Sequence, residues 1–320
     1  MKVSVLGCGR WGSFLAWYNN RIGNDVVSFG PEHDYSYRIL KETGRNEYVR
    51  FDDKIKLSCD LDFALDHAET VIISISSQGL RGFASQIAQR NIKNKKFVLC
   101  MKGIEETTGK RLSEVAIESG IPKDNVAVWV GPGHIQEFTK NVPNCMVIDS
   151  YSPELTKFLA DSFRSDLIRF YYGGDVIGTE VGAATKNIMG IVAGVLDGLN
   201  YVTLKGPLMA RGAREVARLI KALGGNELSA YGLCHLGDYE TTLFSPHSHN
   251  RRWGEAYVLG QPFEKLAEGV ATARAVSGVA KRLGVEMPIT DAVNEMIVHN
   301  THPEDLIKTL FGRDIKEEFK

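Results

Sequence analysis

The sequence predicts a doubly wound α/β domain over residues 1–172, followed by an all-α domain over residues 173–320. Three observations carry this prediction. A chain of 320 residues is long enough for about two domains. In its first half, near-continuous apolar strands alternate with helical stretches, which is typical of a parallel sheet covered on both faces. From Gly173 onward the strand signals stop, and helical spacing with many small residues takes over.

The strands of the first domain are predicted where short β-rich runs lie between turn residues. These runs cover residues 3–6, 25–29, 71–75, 97–100, 126–130 and 145–148, with a final strand near 167–171. The helices between them cover residues 13–22, 81–89, 111–120 and 153–163. In the second domain, helical spacing covers residues 181–199, 208–223, 263–283 and 289–299. We therefore expect a sheet with helices on both faces, and then a layer of helices.

The composition is that of an ordinary soluble globular protein, with 43% hydrophobic residues, 24% charged residues and a net charge of −1. This balance provides no overall field to recruit nucleic acid or an anionic membrane surface. The longest apolar stretch, residues 188–196, is far shorter than the roughly 20 residues of a membrane span, and the N-terminus shows no signal-peptide pattern. The five cysteines form no CxxC, which indicates reduced thiols. We expect a cytoplasmic protein without nucleic-acid or membrane partners.

A glycine-rich turn, Gly7-Cys8-Gly9-Arg10-Trp11-Gly12, follows the first strand and opens the first helix. The G-x-G-x-x-G spacing is weak evidence alone. Here it lies between a strand and a helix, with a second strand beyond, which is the context that a dinucleotide-binding (Rossmann) fingerprint requires. We expect Gly7 to permit the turn, Gly9 to admit the pyrophosphate and Gly12 to let the helix pack on the strand. The alternative is a purely structural glycine turn.

The end of the second strand selects between NAD and NADP, about 20 residues past the glycines. The chain there reads Phe29-Gly30-Pro31-Glu32-His33. Glu32 can accept hydrogen bonds from the ribose hydroxyls and repel a 2′-phosphate, although Arg38 or His33 could reach such a phosphate. We expect NAD or NADP as cofactor, with NAD favoured. A solvated loop glutamate is the alternative for Glu32.

Polar clusters follow three later strands, at the edge where an open α/β sheet binds its ligands. They are residues 74–78, Met101-Lys102-Gly103 and Gly131-Pro132-Gly133-His134. Lys102 can carry a positive charge into the crevice, or it can be a solvated turn lysine. His134 can act chemically, or it can hydrogen-bond the backbone of its loop.

A lysine in a helix of small residues is the most unusual feature of the second half. Lys186 lies about one turn from both Gly182 and Gly190, and such glycines are placed where a backbone or a ligand comes close. Lysine is almost never fully buried without a partner. Desolvation and a nearby cation such as Lys102 would lower its pKa, so that Lys186 could exchange a proton with a substrate oxygen. The alternative is a lysine that snorkels from the edge of the helix.

Residues 232–252 mix glycine, hydroxyl groups, an acid and paired arginines without clean periodicity. Asp238 could orient Lys186 or balance its charge. Ser248, Asn250 and an arginine could hold a phosphate, because arginine offers planar, multidentate donors; a solvated surface loop is the alternative. The pair His247-x-His249 has no cysteine or carboxylate at the usual ligand spacing, and we predict no metal.

Together these motifs resemble the NAD(P)-dependent glycerol-3-phosphate dehydrogenase family of the bacterial soluble type. Nearly the whole chain follows the family's order: GCGRWG, Met-Lys-Gly-Ile-Glu, Gly-Pro-x-His, Glu-Val-Gly-Ala-x-x-Lys-Asn, Ala-Arg-Gly, Gly-Asp and Ser-x-Asn-Arg. The resemblance implies a Rossmann-like domain followed by a helical domain similar to the C-terminal domain of 6-phosphogluconate dehydrogenase. It also implies interconversion of dihydroxyacetone phosphate, a small phosphorylated triose, and sn-glycerol 3-phosphate. That reaction would feed glycerophospholipid synthesis, and the family suggests a homodimer.

Site residues carried over by position fall into three groups. The resemblance implies Lys186 as the proton donor and acceptor, with Asp238 and Lys102 as further catalytic residues. Substrate contacts are implied for Lys102, Gly131, Lys186, Asp238, Thr241, Ser248 and Asn250, and we expect further ones at Gly133, His249 and Arg251, which lie at or beside positions where the chain departs from the family. Cofactor contacts are implied for Arg10, Trp11, Ile135 and Glu268, and we expect further ones at Gly7, Gly9, Gly12, Glu32 and Lys102 from their places in the sequence.

The chain departs from the family's pattern at several positions. Gly133 stands where the family has serine, and Thr203 stands about where it has asparagine. His249 replaces the arginine that normally meets the substrate phosphate, so Arg251 or Arg252 would have to substitute. Pro31 replaces the usual basic residue after the second strand, which weakens the case for NADPH. These departures keep two rivals open: a related dehydrogenase for another hydroxy acid or polyol phosphate, and an NAD(H)-binding sensor with impaired catalysis.

Overall fold

The computed structural model describes residues 1–315 and 317–318. The strands are β1 (Lys2–Leu6), β2 (Asp25–Phe29), β3 (Lys56–Ser58), β4 (Thr70–Ile73), β5 (Lys96–Leu99), β6 (Val126–Val130), β7 (Asn144–Ser150) and β8 (Ile168–Tyr172). The helices of this half are α1 (Arg10–Arg21), α2 (Tyr35–Thr43), α3 (Leu61–His67), α4 (Leu80–Ala88), α5 (Leu112–Glu118), α6 (Ile135–Phe138) and α7 (Pro153–Phe163). The second half contains α8 (Val176–Gly198), α9 (Lys205–Ala222), α10 (His249–Val258), α11 (Glu268–Leu283), α12 (Pro288–His299) and α13 (Pro303–Phe311).

The strands form one eight-stranded sheet in the order β3-β2-β1-β4-β5-β6-β7-β8. Chain order reverses between β1 and β4, and this switch point opens a crevice at the carboxyl ends of the strands. Strands such as β4, Thr70–Ile73, are buried along their whole length because helices cover both faces. Separate apolar clusters fill the two sides of the sheet. The predicted fold class, an α/β domain followed by a helical domain, is confirmed.

The prediction of an entirely parallel sheet is wrong at one edge. Strand β7 runs antiparallel to β6, and β8 then pairs parallel with β7. A parallel crossover needs an element that returns along the sheet, whereas the connection from β6 to β7 contains only the four-residue helix α6. The short strand β3 and the helices α2, α3, α6, α10 and α13 were also absent from the sequence prediction.

Helix α8 is the axis of the second half and is buried along nearly its whole length. It packs against α10 with almost no side chain between the two backbones. A Cβ at Gly194 would overlap the carbonyl oxygen of Arg251, and one at Gly254 would overlap that of Ile191. At Gly194 the expected close approach of another backbone is confirmed, whereas a Cβ at Gly182 or Gly190 would first meet the side chains of His235 and Thr242. Within residues 1–315 and 317–318, no helix combines the length and apolarity needed to cross a membrane.

Several polar contacts join the helical part to the sheet, and the following three lie near its carboxyl edge. Lys102, after β5, donates to Asp238 at 2.7 Å. Arg111 is paired with Glu180 of α8 at 2.7 Å, with both side chains largely buried. The backbone N–H of Ser77, after β4, donates to the carboxylate of Glu268 at 3.3 Å. These contacts bring α8, α11 and the segment around Asp238 to the carboxyl edge of the sheet.

Candidate active site

The glycine-rich turn has the geometry that a dinucleotide requires. Gly7 has φ of +122°, and a Cβ there would overlap the carbonyl oxygen of Ser74. A Cβ at Gly12 would overlap the carbonyl oxygen of Gly7, so α1 can lie on β1 only with glycine at this position. At Gly9, in contrast, a Cβ would meet no described neighbour within 4 Å, and no described side chain caps the start of α1. Open space and uncapped N–H groups of the first helical turn fit a pyrophosphate.

A cluster of two lysines and one aspartate lies beside this crevice. The Nζ of Lys186 is 2.6 Å from Oδ2 of Asp238, and the Nζ of Lys102 is 2.7 Å from the same oxygen. Lys186 also donates to Oγ1 of Thr242 at 2.8 Å, and Lys102 donates to the carbonyl oxygen of Gly131 at 2.7 Å. The Asp238 carboxylate is almost fully buried, while Lys102 keeps 21% of its side chain exposed. The cluster therefore opens on the Lys102 side.

Burial and charge shift the titration of this cluster in directions that suit proton transfer. Burial lowers the pKa of Lys186 to about 7, with Asp238 opposing this change and Lys102 adding to it. The expectation that desolvation and Lys102 would depress this pKa is confirmed. Burial alone would raise the pKa of Asp238, but the two lysines outweigh burial and hold it below its ordinary value. Near neutral pH, Asp238 is therefore ionised, and Lys186 can exist with or without its proton.

The backbone around Asp238 is irregular, and this decides which threonine meets the lysine. A 3₁₀ turn, Leu236–Asp238, leads into a π-helical turn, Glu240–Phe244. Thr241, the threonine chosen from the sequence, donates to the carboxylate and the backbone carbonyl of Asp238. The next residue, Thr242, is the one that accepts from Lys186. Sequence reasoning missed Thr242, since neither residue lies in a periodic segment.

The loop after β6 contributes a strained turn and a buried histidine. Gly131 and Gly133 have φ of +139° and +146°, and a Cβ at Gly133 would overlap the ring of Phe138. In this conformation residue 133 must be glycine, so the serine of the family's pattern would not fit this loop. Nε2 of His134 is buried and has no hydrogen-bond partner among the described residues. Burial, Arg10 and Lys186 lower the pKa of His134 to about 4, so the ring is neutral and lies in the field of the cluster.

The residues expected to contact the cofactor are spread around the crevice. Arg10 reaches across to the carbonyl oxygen of His247 at 3.5 Å and to Oε1 of Gln136 at 3.4 Å. Trp11 packs on Phe14 with ring centroids 4.9 Å apart. Ile135 is buried at the start of α6, and Glu268 begins α11 beside Ser77. Glu32 is exposed after β2, and its carboxylate lies 3.5 Å from the Nζ of Lys41.

The residues expected at the substrate phosphate lie at the start of α10. Ser248 caps this helix by accepting from the N–H of Arg251 at 3.3 Å, and Oδ1 of Asn250 accepts from Gly269 at 2.9 Å. His249 contacts the carbonyl oxygen of Leu266 at 3.3 Å through Nδ1. The guanidinium of Arg251 donates to Asp197 at 2.5 Å.

Arg251 therefore belongs to a partly buried cluster of three charged residues, in which Lys205 also lies 2.7 Å from the Asp197 carboxylate. Arg252 is exposed and lies over the ring of Phe263, 5.8 Å from its centroid. Thr203 is exposed on a 3₁₀ turn, Val202–Leu204. No group of three or more potential metal ligands occurs in the described part of the chain, and the absence of a metal stays a prediction.

The site combines a dinucleotide turn at the switch point of an α/β sheet with a buried lysine and aspartate from the helical part. This combination defines the class of two-domain nicotinamide-dependent dehydrogenases. Residues 2–156 match the family model described as NAD-dependent glycerol-3-phosphate dehydrogenase N-terminus, and residues 175–308 match the model of its C-terminus. The chain belongs to the NAD-dependent glycerol-3-phosphate dehydrogenase family.

Similar proteins extend over the whole chain. Glycerol-3-phosphate dehydrogenase [NAD(P)+] of Chlorobium limicola is 35% identical and covers 99% of this chain and 99% of its own length. The enzyme of the same name from Fusobacterium nucleatum is 31% identical, covering 100% of this chain and 99% of its own. The crystal structure of glycerol-3-phosphate dehydrogenase from Coxiella burnetii superimposes with a TM-score of 0.90 at 27% identity, covering 98% of this chain and 99% of its own.

Proposed function

We propose that this chain interconverts dihydroxyacetone phosphate and sn-glycerol 3-phosphate with NAD(H) or NADP(H). The observation that carries the proposal is the pairing of buried Lys186 with Asp238 at 2.6 Å, at the carboxyl edge of a dinucleotide-binding sheet. A buried lysine with a pKa of about 7 can give or take a proton at neutral pH. The names of the full-length relatives supply the substrate and the cofactor.

The turn Gly7–Gly12 and Glu268 would hold the cofactor, whose reduced nicotinamide, when bound, supplies a hydride to C2 of the triose. Protonated Lys186 delivers a proton to the C2 oxygen as the carbonyl becomes an alcohol. In the reverse direction, neutral Lys186 removes the hydroxyl proton. Asp238 keeps the ammonium group in place, and Lys102 adds positive charge where negative charge develops on the oxygen. Burial of Lys186 and Asp238 excludes water from the proton path.

For the substrate phosphate we propose a site at the start of α10 that uses Ser248, Asn250 and Arg252. Ser248 and Asn250 keep the helix N-terminus in place through their bonds to Arg251 and Gly269. We favour Arg252 over Arg251 because the guanidinium of Arg251 is paired with Asp197. We retain Thr241, His249, Gly131 and Gly133 as proposed substrate neighbours.

Variants of the two arginines test this choice. Arg252→Gln should raise KM for dihydroxyacetone phosphate by about tenfold or more, since an arginine–phosphate contact is worth roughly 1.5–3 kcal/mol. The weak reduction of unphosphorylated dihydroxyacetone should not change. Arg251→Gln should instead lower thermal stability by breaking the partly buried pair with Asp197. If Arg251→Gln raises KM for the phosphorylated substrate alone and leaves stability intact, the assignment is reversed.

The wider proposals rest on the resemblance and on the shape of the fold. We propose a dinucleotide-binding domain over residues 1–172 and a substrate domain over residues 173–320, since strand β8 ends at Tyr172 and α8 begins at Val176. We also propose a homodimer, which sedimentation equilibrium tests, and a supply of glycerol phosphate for glycerophospholipid synthesis.

The experiment that tests the proposed activity is oxidation of NADH and NADPH by the purified protein. Dihydroxyacetone phosphate should support fast turnover, and unphosphorylated dihydroxyacetone should not. Turnover with another hydroxy acid or polyol phosphate in its place would identify the related dehydrogenase. Tight NADH binding without turnover on any of these substrates would identify the sensor.

A further inference from the structure

The residues on either side of Asp238 form a hydrogen-bonded pair that the proposed reaction does not use directly. His235 and Tyr239 are both fully buried, and they lie three residues before and one residue after Asp238. Their rings meet edge to face, with centroids 4.8 Å apart. The backbone between them is a short 3₁₀ turn, which is held by its own backbone hydrogen bonds and by the side chains packed on it.

The hydrogen bonds of His235 connect this turn to the helix that contains Lys186. Nδ1 of His235 lies 2.9 Å from the carbonyl oxygen of Gly182, and Nε2 lies 2.7 Å from the hydroxyl of Tyr239. A carbonyl oxygen can only accept, so Nδ1 carries the hydrogen and Nε2 accepts from the phenol. Gly182 lies on α8 one turn before Lys186, and a Cβ at Gly182 would lie 3.1 Å from the Cβ of His235. The imidazole thus bridges the Asp238 turn and the Lys186 helix.

This bridge keeps one protonation state over the working pH range. Burial lowers the pKa of His235 to about 4, with the backbone of Gly182 opposing this change and Lys186 adding to it. The imidazole is therefore neutral near pH 7, with its hydrogen on Nδ1. Both ring nitrogens are satisfied in this tautomer, and protonation of Nε2 would force Tyr239 to accept from the ring and to lose its own acceptor.

We propose that His235 and Tyr239 are positioning residues that hold the carboxylate of Asp238 against the Nζ of Lys186. The inference deepens the proposed function, on which its kinetic part rests. The two residues would maintain the 2.6 Å distance between the Nζ of Lys186 and Oδ2 of Asp238, and greater mobility of the Asp238 turn would lengthen this distance. The groups that face Lys186 are Asp238, Lys102, His134 and His235. Of these, Asp238 is the carboxylate that favours the charged lysine, so its retreat must lower the pKa of Lys186 further.

The test compares His235→Ala, His235→Asn and Tyr239→Phe with the wild type. In the reducing direction, the rate falls as Lys186 loses its proton, so the high-pH limb of kcat should move to lower pH. We expect a shift of about one pH unit for His235→Ala, equivalent to roughly a tenfold change in proton affinity. His235→Asn retains a donor for Gly182 and should restore part of the shift. Tyr239→Phe, which is nearly isosteric, should move the limb in the same direction by a smaller amount.

A second readout separates this inference from the proposed activity. NMR titration of ¹³C-labelled lysine, with the Lys186 signal assigned by Lys186→Met, measures the pKa without any substrate. A lower pKa of Lys186 in His235→Ala and Tyr239→Phe supports the positioning role even if the wild type has no turnover on dihydroxyacetone phosphate. Normal turnover with an unchanged pKa in both variants overturns it.

A matched control shows what a merely structural tyrosine does. Tyr18 is also fully buried, and its hydroxyl donates to the carbonyl oxygen of Phe163 at 2.5 Å, in the core of the α/β part. Tyr18→Phe should lower thermal stability and leave both the kcat limb and the Lys186 titration unchanged. If Tyr239→Phe folds and behaves in the same way as Tyr18→Phe, the inference is wrong.

Discussion

Replacing Lys186 by methionine should make the protein more stable while removing its activity. Lys186 is buried, and its pKa falls from the ordinary value of 10.5 to about 7. That fall means that the fold opposes the charged lysine by about 5 kcal/mol at or below pH 7. Methionine has a similar length and carries no charge, and Asp238 retains Lys102 at 2.7 Å in the variant. The depressed pKa already includes the attraction of Asp238, and the hydrogen bond to Thr242 is lost as well, so the net gain should be about 1–4 kcal/mol.

The gain should depend on pH with a definite sign. Between pH 7 and 10.5 the unfolded chain binds a proton at residue 186 that the folded chain has released. The stability of the wild type from this site therefore rises with pH across that window, and Lys186→Met lacks this contribution. The variant should exceed the wild type most at pH 6, and its advantage should shrink steadily towards pH 9.

The difference in free energy of unfolding between the variant and the wild type is measured by equilibrium unfolding in urea at pH 6, 7, 8 and 9. Unfolding is followed by both circular dichroism and tryptophan fluorescence. Lys205→Met is the matched control, because Lys205 is also buried and paired with an aspartate, Asp197, at 2.7 Å. Lys205 also donates to the carbonyl oxygen of Leu243, and because Lys205→Met removes this bond, the control variant should lose stability. A Lys186→Met protein that is less stable than the wild type at pH 6 would refute the reasoning.

The nucleotide turn and the pH profile give three further predictions. Gly9→Ala should fold normally but weaken NADH binding, because its Cβ would lie in the open space that the pyrophosphate occupies, whereas Gly12→Ala should lose stability because its Cβ would overlap the carbonyl oxygen of Gly7. Thermal melts and NADH titrations distinguish the two variants, and equal behaviour of both would contradict this prediction. As pH rises through about 7, Lys186 loses its proton, so turnover should fall in the reducing direction and rise in the oxidising direction. Parallel pH profiles in both directions would contradict the role of Lys186. Glu32→Gln should lower KM for NADPH by about fivefold and leave KM for NADH nearly unchanged, because the repulsion between one exposed carboxylate and the 2′-phosphate is about 1 kcal/mol. Equal changes for both cofactors would show that Glu32 does not select between them.

Regular elements were predictable because their patterns are strong. The apolar run of β4 and the small residues of α8 gave nearly correct positions, although α8 begins at Val176 rather than at residue 181. Strand β3 has only three residues with a single apolar one, Leu57, which is too short a run to show a period. Helix α10 has a polar first turn, so its start at His249 was hidden in a segment without periodicity.

The members of the charged cluster were predictable, but some of their contacts were not. Lys186, Asp238 and Lys102 each occupy a position that chemistry singles out, and the structure brings the three together. The choice between Thr241 and Thr242 depends on a π-helical turn that no local pattern indicates. The pairing of Arg251 with Asp197 likewise joins residues far apart in the chain. Their catalytic and binding roles stay predictions.

The central claim is that Lys186 exchanges the proton while dihydroxyacetone phosphate is reduced. The most direct test is the rate of NADH oxidation with dihydroxyacetone phosphate, measured side by side for the wild type and Lys186→Met, with NADH affinity determined for both. We predict fast turnover by the wild type, a loss of about a hundredfold or more in the variant, and equal NADH affinity. Near-normal turnover by Lys186→Met would contradict the claim.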